Sequence, residues 1–208
     1  MTLPAVPYLL AVGIACHAGI SLAATLQGTV VRVADGDTVT VADGRHRQVK
    51  VRLSGIDAPE KQQAFGRQAG ANLARLVMGK PVAVEWDKRD AYGRIIGRVL
   101  VAPVSCPGCA RTEDAGLAQI QSGYAWWYRS ESRELSHTDQ QRYAIAENAA
   151  RASYRGLWAD PKPVPPWQWR HDPANHSSSA QSNTTTHIRK VKTIIRHPLR
   201  NMQRWIHG

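Results

Sequence analysis

Two Asp-Gly dipeptides, Asp35-Gly36 and Asp43-Gly44, cut residues 28–56 into three short stretches with apolar residues at every second position. Asp and Gly favour tight turns because one hydrogen-bonds its own backbone and the other accepts φ angles that side chains resist. Gly28–Ala34, Asp37–Val41 and Arg47–Ile56 therefore read as a three-stranded meander. In the third strand Val49, Val51 and Leu53 alternate with Lys50 and Arg52, so the apolar side faces a core and the basic side faces out. Gly55 then loosens the backbone and Pro59 stiffens the exit. Within nine residues of Arg52 the chain adds two carboxylates, Asp57 and Glu60. A guanidinium and two carboxylates at a strand end are the parts needed to hold a divalent metal, direct a water and neutralise a phosphate.

The rest of the chain supplies elements to pack on that meander. Phe65–Met78 carries Phe65, Ala69, Leu73, Leu76 and Val77 at helical spacing and stops at Gly79. Pro81–Trp86 is a fourth strand, and the turn Asp90–Arg94 launches a fifth, Ile95–Val101. Thr112 is placed to cap a second helix with Glu113 and Asp114 in its first turn, Leu117 and Ile120 inside, and Gly123 as its stop. Trp126 and Trp127 are expected in or beside the core. Thr138–Ser153 reads as a third helix with Tyr143, Ile145, Ala146, Ala149 and Ala150 inward, ended by Gly156, after which Leu157 and Trp158 pack back. The expected fold is β-rich α+β, a five-stranded OB-type Greek-key barrel with three helices.

The ends read differently. Met1–Ala23 has no Asp, Glu, Lys or Arg, holds a short apolar run and closes on Ser21-Leu-Ala23, the form of a secretory signal peptide cut after Ala23. That run is too short for a transmembrane anchor. The predicted domain is then 24–170, with an extended strap of Pro161, Pro163, Pro165, Pro166, Trp167 and Trp169 near its end. Residues 171–186 form a polar linker and 187–208 a basic amphipathic tail. Net charge is +11, and the seven Lys/Arg against one Asp from Arg170 onward hold more than half of it. Such an excess favours a polyanionic partner, nucleic acid first and an anionic membrane surface second. The tail is either a solvated extension or a contact with nucleic acid or an anionic surface.

Cys106 and Cys109 flank Pro107-Gly108, the pair a type II turn takes at its centre. A structural disulfide is the first reading for an exported chain, since zinc needs about four ligands and no second cysteine pair follows the leader. A redox role calls for a βαβ setting, which is not evident.

Several pieces in order complete the pattern: Asp35-Gly-Asp-Thr38, Val51-Arg-Leu-Ser-Gly-Ile-Asp-Ala-Pro-Glu60, Asp90-Ala-Tyr-Gly-Arg94, Gly123-Tyr-Ala-Trp-Trp-Tyr128 and Arg155-Gly-Leu-Trp158. Over residues 28–170 the chain resembles the thermonuclease family, the staphylococcal-nuclease-like proteins, in its bacterial exported branch. The resemblance implies Ca²⁺ as cofactor, with Asp37, Asp57 and the main-chain carbonyl of Ala58 as its protein ligands. Many relatives have Thr where Ala58 stands; Ala keeps the carbonyl and loses only a hydroxyl. It implies a catalytic set of Arg52, Glu60 and Arg94, and cleavage of the 5′ P–O bond of DNA or RNA to leave 3′-phosphate ends.

These roles are chemically coherent without the family. Ca²⁺ prefers oxygen ligands and can bridge a phosphate and an attacking water. Glu60 is placed to orient or deprotonate that water. Arg52 and Arg94 suit bidentate grip on phosphoryl oxygens and offset charge in the transition state. Tyr92 and Tyr128 are candidates to stack on a base. Each residue also has an ordinary alternative: Asp35 and Asp37 as turn residues, Arg52 as a strand residue paired with Glu60, Arg94 as a hairpin flank. Strand and turn chemistry does not require all of them together. The expected function is a secreted calcium-dependent nuclease of low sequence specificity acting on DNA and/or RNA, with no obligate protein partner. The alternatives are a nuclease-fold nucleic-acid-binding module that has lost catalysis, and a membrane-associated adaptor.

Overall fold

The computed structural model describes residues 24–172. The expected leader 1–23, the linker from residue 173 on and the basic tail 187–208 lie outside the described residues. Strand β1 (Ala24–Val33) pairs antiparallel with β2 (Thr38–Asp43), which pairs with β3 (Gln48–Leu53). The two Asp-Gly dipeptides sit at the two turns. The Asp35 and Asp43 carboxylates fold back on nearby backbone N–H groups, Asp37 in the first turn and Arg45 and Arg47 in the second.

After a two-residue strand β4 (Ile56–Asp57) and helix α1 (Gly66–Val77), the chain returns to the sheet. Strand β5 (Pro81–Arg89) pairs with β1 on one side and with β6 (Ile95–Val101) on the other. The cylinder closes through a parallel pairing of β3 with β6, Val51 opposite Ile95 and Arg52 opposite Ile96. Closure leaves the edges of β3 and β6 paired rather than open. The expected five-stranded barrel is therefore present, made of β1, β2, β3, β5 and β6.

Alternation along the strands fills the interior. Val30, Val39, Val41, Val51, Leu53, Val82, Val84, Ile95 and Val99 are all buried. Helix α1 closes one end with Ala69, Leu73 and Val77. Its approach depends on Gly36, where an added Cβ would lie 2.6 Å from the Cβ of Ala58 and 2.7 Å from that of Ala69.

The second helix starts later than the sequence suggests. Glu113–Asp114 extends the sheet as β7 against Leu100 and Val101, and helix α2 (Ala115–Gln121) is capped by Asp114, not Thr112. Asp114 Oδ1 accepts from the N–H groups of Gly116 and Leu117 at 2.8 and 3.2 Å. Its Oδ2 accepts from the Tyr143 hydroxyl at 3.0 Å and faces Arg98 at 3.2 Å. A carboxylate that caps a helix and satisfies a buried tyrosine leaves no cap for Thr112 to supply.

Helix α3 (His137–Ala152) also corrects an expectation. Tyr143, Ala146 and Ala150 point inward, but Ile145 and Ala149 are exposed, and Glu147 is fully buried. Glu147 accepts from the backbone N–H of Trp127 at 3.1 Å and from Arg129 at 2.9 Å, with Arg151 at 3.6 Å. Trp127 belongs to strand β8 (Trp126–Trp127), which pairs with β4. Helix α3 thus fixes a strand that in turn fixes Asp57.

The Pro-rich segment is not extended throughout. Pro165 and Pro166 open a single helical turn, α4 (Pro166–Trp169), where proline's fixed φ suits the first turn. Trp167 packs against Trp126 and Tyr128, with ring centroids 6.2 and 5.4 Å apart. Cys106 and Cys109 are disulfide-bonded in the exposed loop between β6 and β7, with Cα atoms 5.4 Å apart.

Candidate active site

One cleft of about 450 Å³ is lined by Asp37, Arg52, Asp57, Ala58, Glu60, Tyr92, Arg94 and Tyr128, every cleft residue singled out from the sequence. Asp35, Asp90, Glu131 and Arg170 line it as well. Cys106 and Cys109 lie apart from it.

Three parts of the fold deliver these groups. The β1–β2 turn supplies Asp37, anchored because the Leu53 N–H donates to the Asp37 carbonyl at 2.8 Å. The end of β3 supplies Arg52, whose neighbours Val51 and Leu53 are buried on the other face. Asp57 follows in β4, opposite Trp126. Glu60 stands in the turn before α1, where the Gln63 N–H donates to its carbonyl at 2.8 Å and its own N–H donates to Gln63 Oε1 at 3.1 Å. The β5–β6 hairpin supplies Arg94, next to Arg52 because β3 and β6 lie side by side.

Carboxylates crowd the floor. Asp57 is 1% exposed and Asp37 8%. Asp37 Oδ2 accepts from the Ala58 N–H at 3.2 Å and its Oδ1 from the Thr38 hydroxyl at 2.8 Å. Burial, then the charge of Asp37, pushes Asp35 up to about 7. Burial also raises Asp57, with Asp37 adding to the rise and Arg170 and Arg52 opposing it. Buried carboxylates that repel one another need cations nearby.

Two guanidinium groups meet that need in part. Arg52 lies 3.4 Å from Asp57 and 3.2 Å from Glu131, so the expected alternative pairing with Glu60 does not occur. Burial alone would depress Arg52, but Asp37, Asp57, Glu131 and Glu134 outweigh it and hold it charged. Arg170 reaches both Asp57 and Glu60 at 2.7 Å. Arg94 is held by Asp90 at 2.6 Å and lies 5.7 Å from the ring centre of Tyr92, which is 86% exposed at the cleft mouth.

Arg170 and Glu131 escaped the sequence reading. Each meets partners 79 to 113 positions away, and no periodicity links them. Glu131 sits in a 3₁₀ segment, Arg129–Glu134, that carries no strong helix signal.

Among the described residues no group of three or more His, Cys, Asp or Glu is arranged to hold a metal. The donor set implied from the sequence is smaller, two aspartates and one carbonyl. Buried, mutually repelling oxygen donors fit a hard cation such as Ca²⁺ better than a soft one. The residues present therefore fit the implied ion.

A barrel that gathers buried acidic oxygens and arginines in one cleft has the groups that phosphodiester cleavage needs. Comparison with known proteins places it further. Residues 50–160 match the model of the staphylococcal nuclease homologues. An uncharacterized endonuclease of Escherichia coli is 43% identical over 150 residues, spanning 72% of this chain and 88% of that protein. A micrococcal nuclease of Shigella flexneri is 40% identical over 153 residues, spanning 73% and 84%. An E. coli protein named ParB is 40% identical over 152 residues, spanning 73% and 83%. The chain belongs to the staphylococcal nuclease homologue family and is a nuclease.

Proposed function

We propose that this nuclease is calcium-dependent, exported, and cleaves DNA and/or RNA with little sequence preference to leave 3′-phosphate ends. The observation that carries the reading is the convergence of Asp37, Arg52, Asp57, Glu60 and Arg94 on one cleft. Export rests on the uncharged, apolar character of Met1–Ala23.

Asp37, Asp57 and the Ala58 carbonyl would hold the ion. Calcium, when bound, supplies positive charge toward both the phosphate and the attacking water. Glu60 orients that water or takes its proton. The water oxygen bonds to phosphorus as the 5′ P–O bond breaks, and the departing 5′ oxygen takes its proton from solvent. Arg52 and Arg94 pair with the phosphoryl oxygens and gain strength as charge builds there. Arg94 is pre-aimed by its bond to Asp90, which fixes the guanidinium on a short hairpin. Tyr92 and Tyr128 flank the cleft where bases on either side of the scissile phosphate could stack, a mode that tolerates any sequence.

The test uses single-stranded DNA with and without Ca²⁺, followed by analysis of the product ends. Turnover should need calcium and leave 3′-phosphates. Glu60→Gln should lower turnover by about 10²-fold or more while leaving DNA binding nearly intact. Calcium-independent cleavage, or an undiminished Glu60→Gln variant, refutes the reading.

A further inference from the structure

Arg170 occupies the oxygens the site most needs. Its Nη2 donates to Asp57 Oδ2 at 2.7 Å and its Nη1 to Glu60 Oε1 at 2.7 Å, with a further contact to Asp57 Oδ1 at 3.2 Å. One guanidinium thus takes both oxygens of the buried aspartate and one of the glutamate. Hydrogen bonds to Asp57, with smaller help from Glu60, keep the guanidinium firmly charged against its partial burial.

The strap that delivers Arg170 is tied to the site at two further points. Gln63 donates to the Val164 carbonyl, and the same side chain accepts from the Glu60 N–H. Trp167 packs on Trp126, the strand partner of Asp57, and on Tyr128 in the cleft wall. Helix α4 sets Arg170 at its end, directed back at the carboxylates. The contact is therefore anchored at both its loop and its aromatic side.

Two cations drawn to the same carboxylate within a few ångströms repel each other, the more so where that carboxylate is buried, as Asp57 is. We infer that Arg170 is an internal counter-cation that competes with the metal for Asp57, so that metal loading expels the guanidinium, frees Glu60 for water and loosens the strap. The inference rests on the calcium site proposed above. Through this contact the chain carries its own antagonist of metal binding. It neutralises the carboxylates when calcium is scarce and links nuclease activity to calcium supply. A fraction of molecules with the strap displaced binds the ion, and the rest must first release Arg170.

The experiment titrates calcium into the full chain, its Arg170→Gln and Arg170→Lys variants, and Asp57→Asn, by calorimetry and tryptophan fluorescence. Arg170→Gln should bind calcium about ten-fold tighter, the expected gain if about one wild-type molecule in ten is open. Arg170→Lys, which keeps the charge but not the two-pronged reach, should fall between. Calcium should shift the wild-type emission as Trp167 loses its packing, and the shift should shrink in Arg170→Gln. In chelator Arg170→Gln should melt below wild type, and saturating calcium should close the gap. Equal calcium affinity in wild type and both Arg170 variants overturns the competition while leaving the calcium site standing. Absence of calcium binding to every protein, including wild type, overturns the calcium site and the competition with it. If Arg170→Gln does not fold, the lysine variant carries the comparison, and affinity no tighter than wild type overturns the inference.

Discussion

Replacing Glu147 by alanine reaches the site from the far side of helix α3. Glu147 is fully buried, yet it does not touch the cleft. Its carboxylate holds the Trp127 N–H and Arg129, and Trp127 lies opposite Ile56 in the short pairing that sets Asp57. Stranding the Trp127 N–H costs about 1–3 kcal/mol, with more from the lost charge-assisted bonds. Arg129 and Arg151 are 55% and 47% exposed, so water compensates much of their loss. Removing the burial cost of Glu147 itself offsets another part. The net loss should be about 2–3 kcal/mol, or roughly 4–12 °C in melting temperature for a domain of this size. Near-UV circular dichroism melts measure the loss. Hydrogen exchange should quicken at the amides of residues 56, 57 and 127, and turnover should fall although no cleft residue has changed. Ile145→Ala, on the exposed face of the same helix, is the control and should change neither. A Glu147→Ala melt within about 1 °C of wild type, with unchanged exchange at those amides, would refute this chain of support.

Two further substitutions probe the frame around the site. Tyr143→Phe removes the hydroxyl that donates to Asp114 at 3.0 Å, and should cost about 1–2 kcal/mol in denaturant melts because Arg98 still serves that carboxylate. Gly36→Ala brings a methyl against Ala58 and Ala69, and should cost about 1–3 kcal/mol. Because Gly36 adjoins Asp37 and the added methyl presses on Ala58, the same variant should bind calcium more weakly by calorimetry.

Local pattern carried the parts of this fold that are local. Alternation and Asp-Gly turns marked the meander, and the same residues marked Asp37, Arg52, Asp57 and Glu60 because strand ends are where the chain exposes them. The parallel closure of β3 on β6 has no local signature, since the strands are joined through a helix and two other strands. On helix α3 Tyr143, Ala146 and Ala150 face inward as expected, while Ile145 and Ala149 do not, because alanines are small enough for either face and an inward glutamate runs against the rule that charge stays outside. Thr112 and Asp114 both suit a helix cap; Asp114 wins because sheet pairing at Glu113–Asp114 delays the helix. Arg170 stayed hidden among prolines that read as extended, while its partners lie more than a hundred positions upstream.

The parallel seam between β3 and β6 also says something about time. Arg52 and Arg94 are made early in synthesis, but they become neighbours only once the cylinder shuts. Asp57 is held in place later still, when Trp127 and Glu147 have been added. Long-range pairings of this kind are slow to form. A nascent or frayed chain therefore carries every chemical group of the nuclease without the means to cut. Cutting depends on closure of the cylinder, not on the presence of these groups alone.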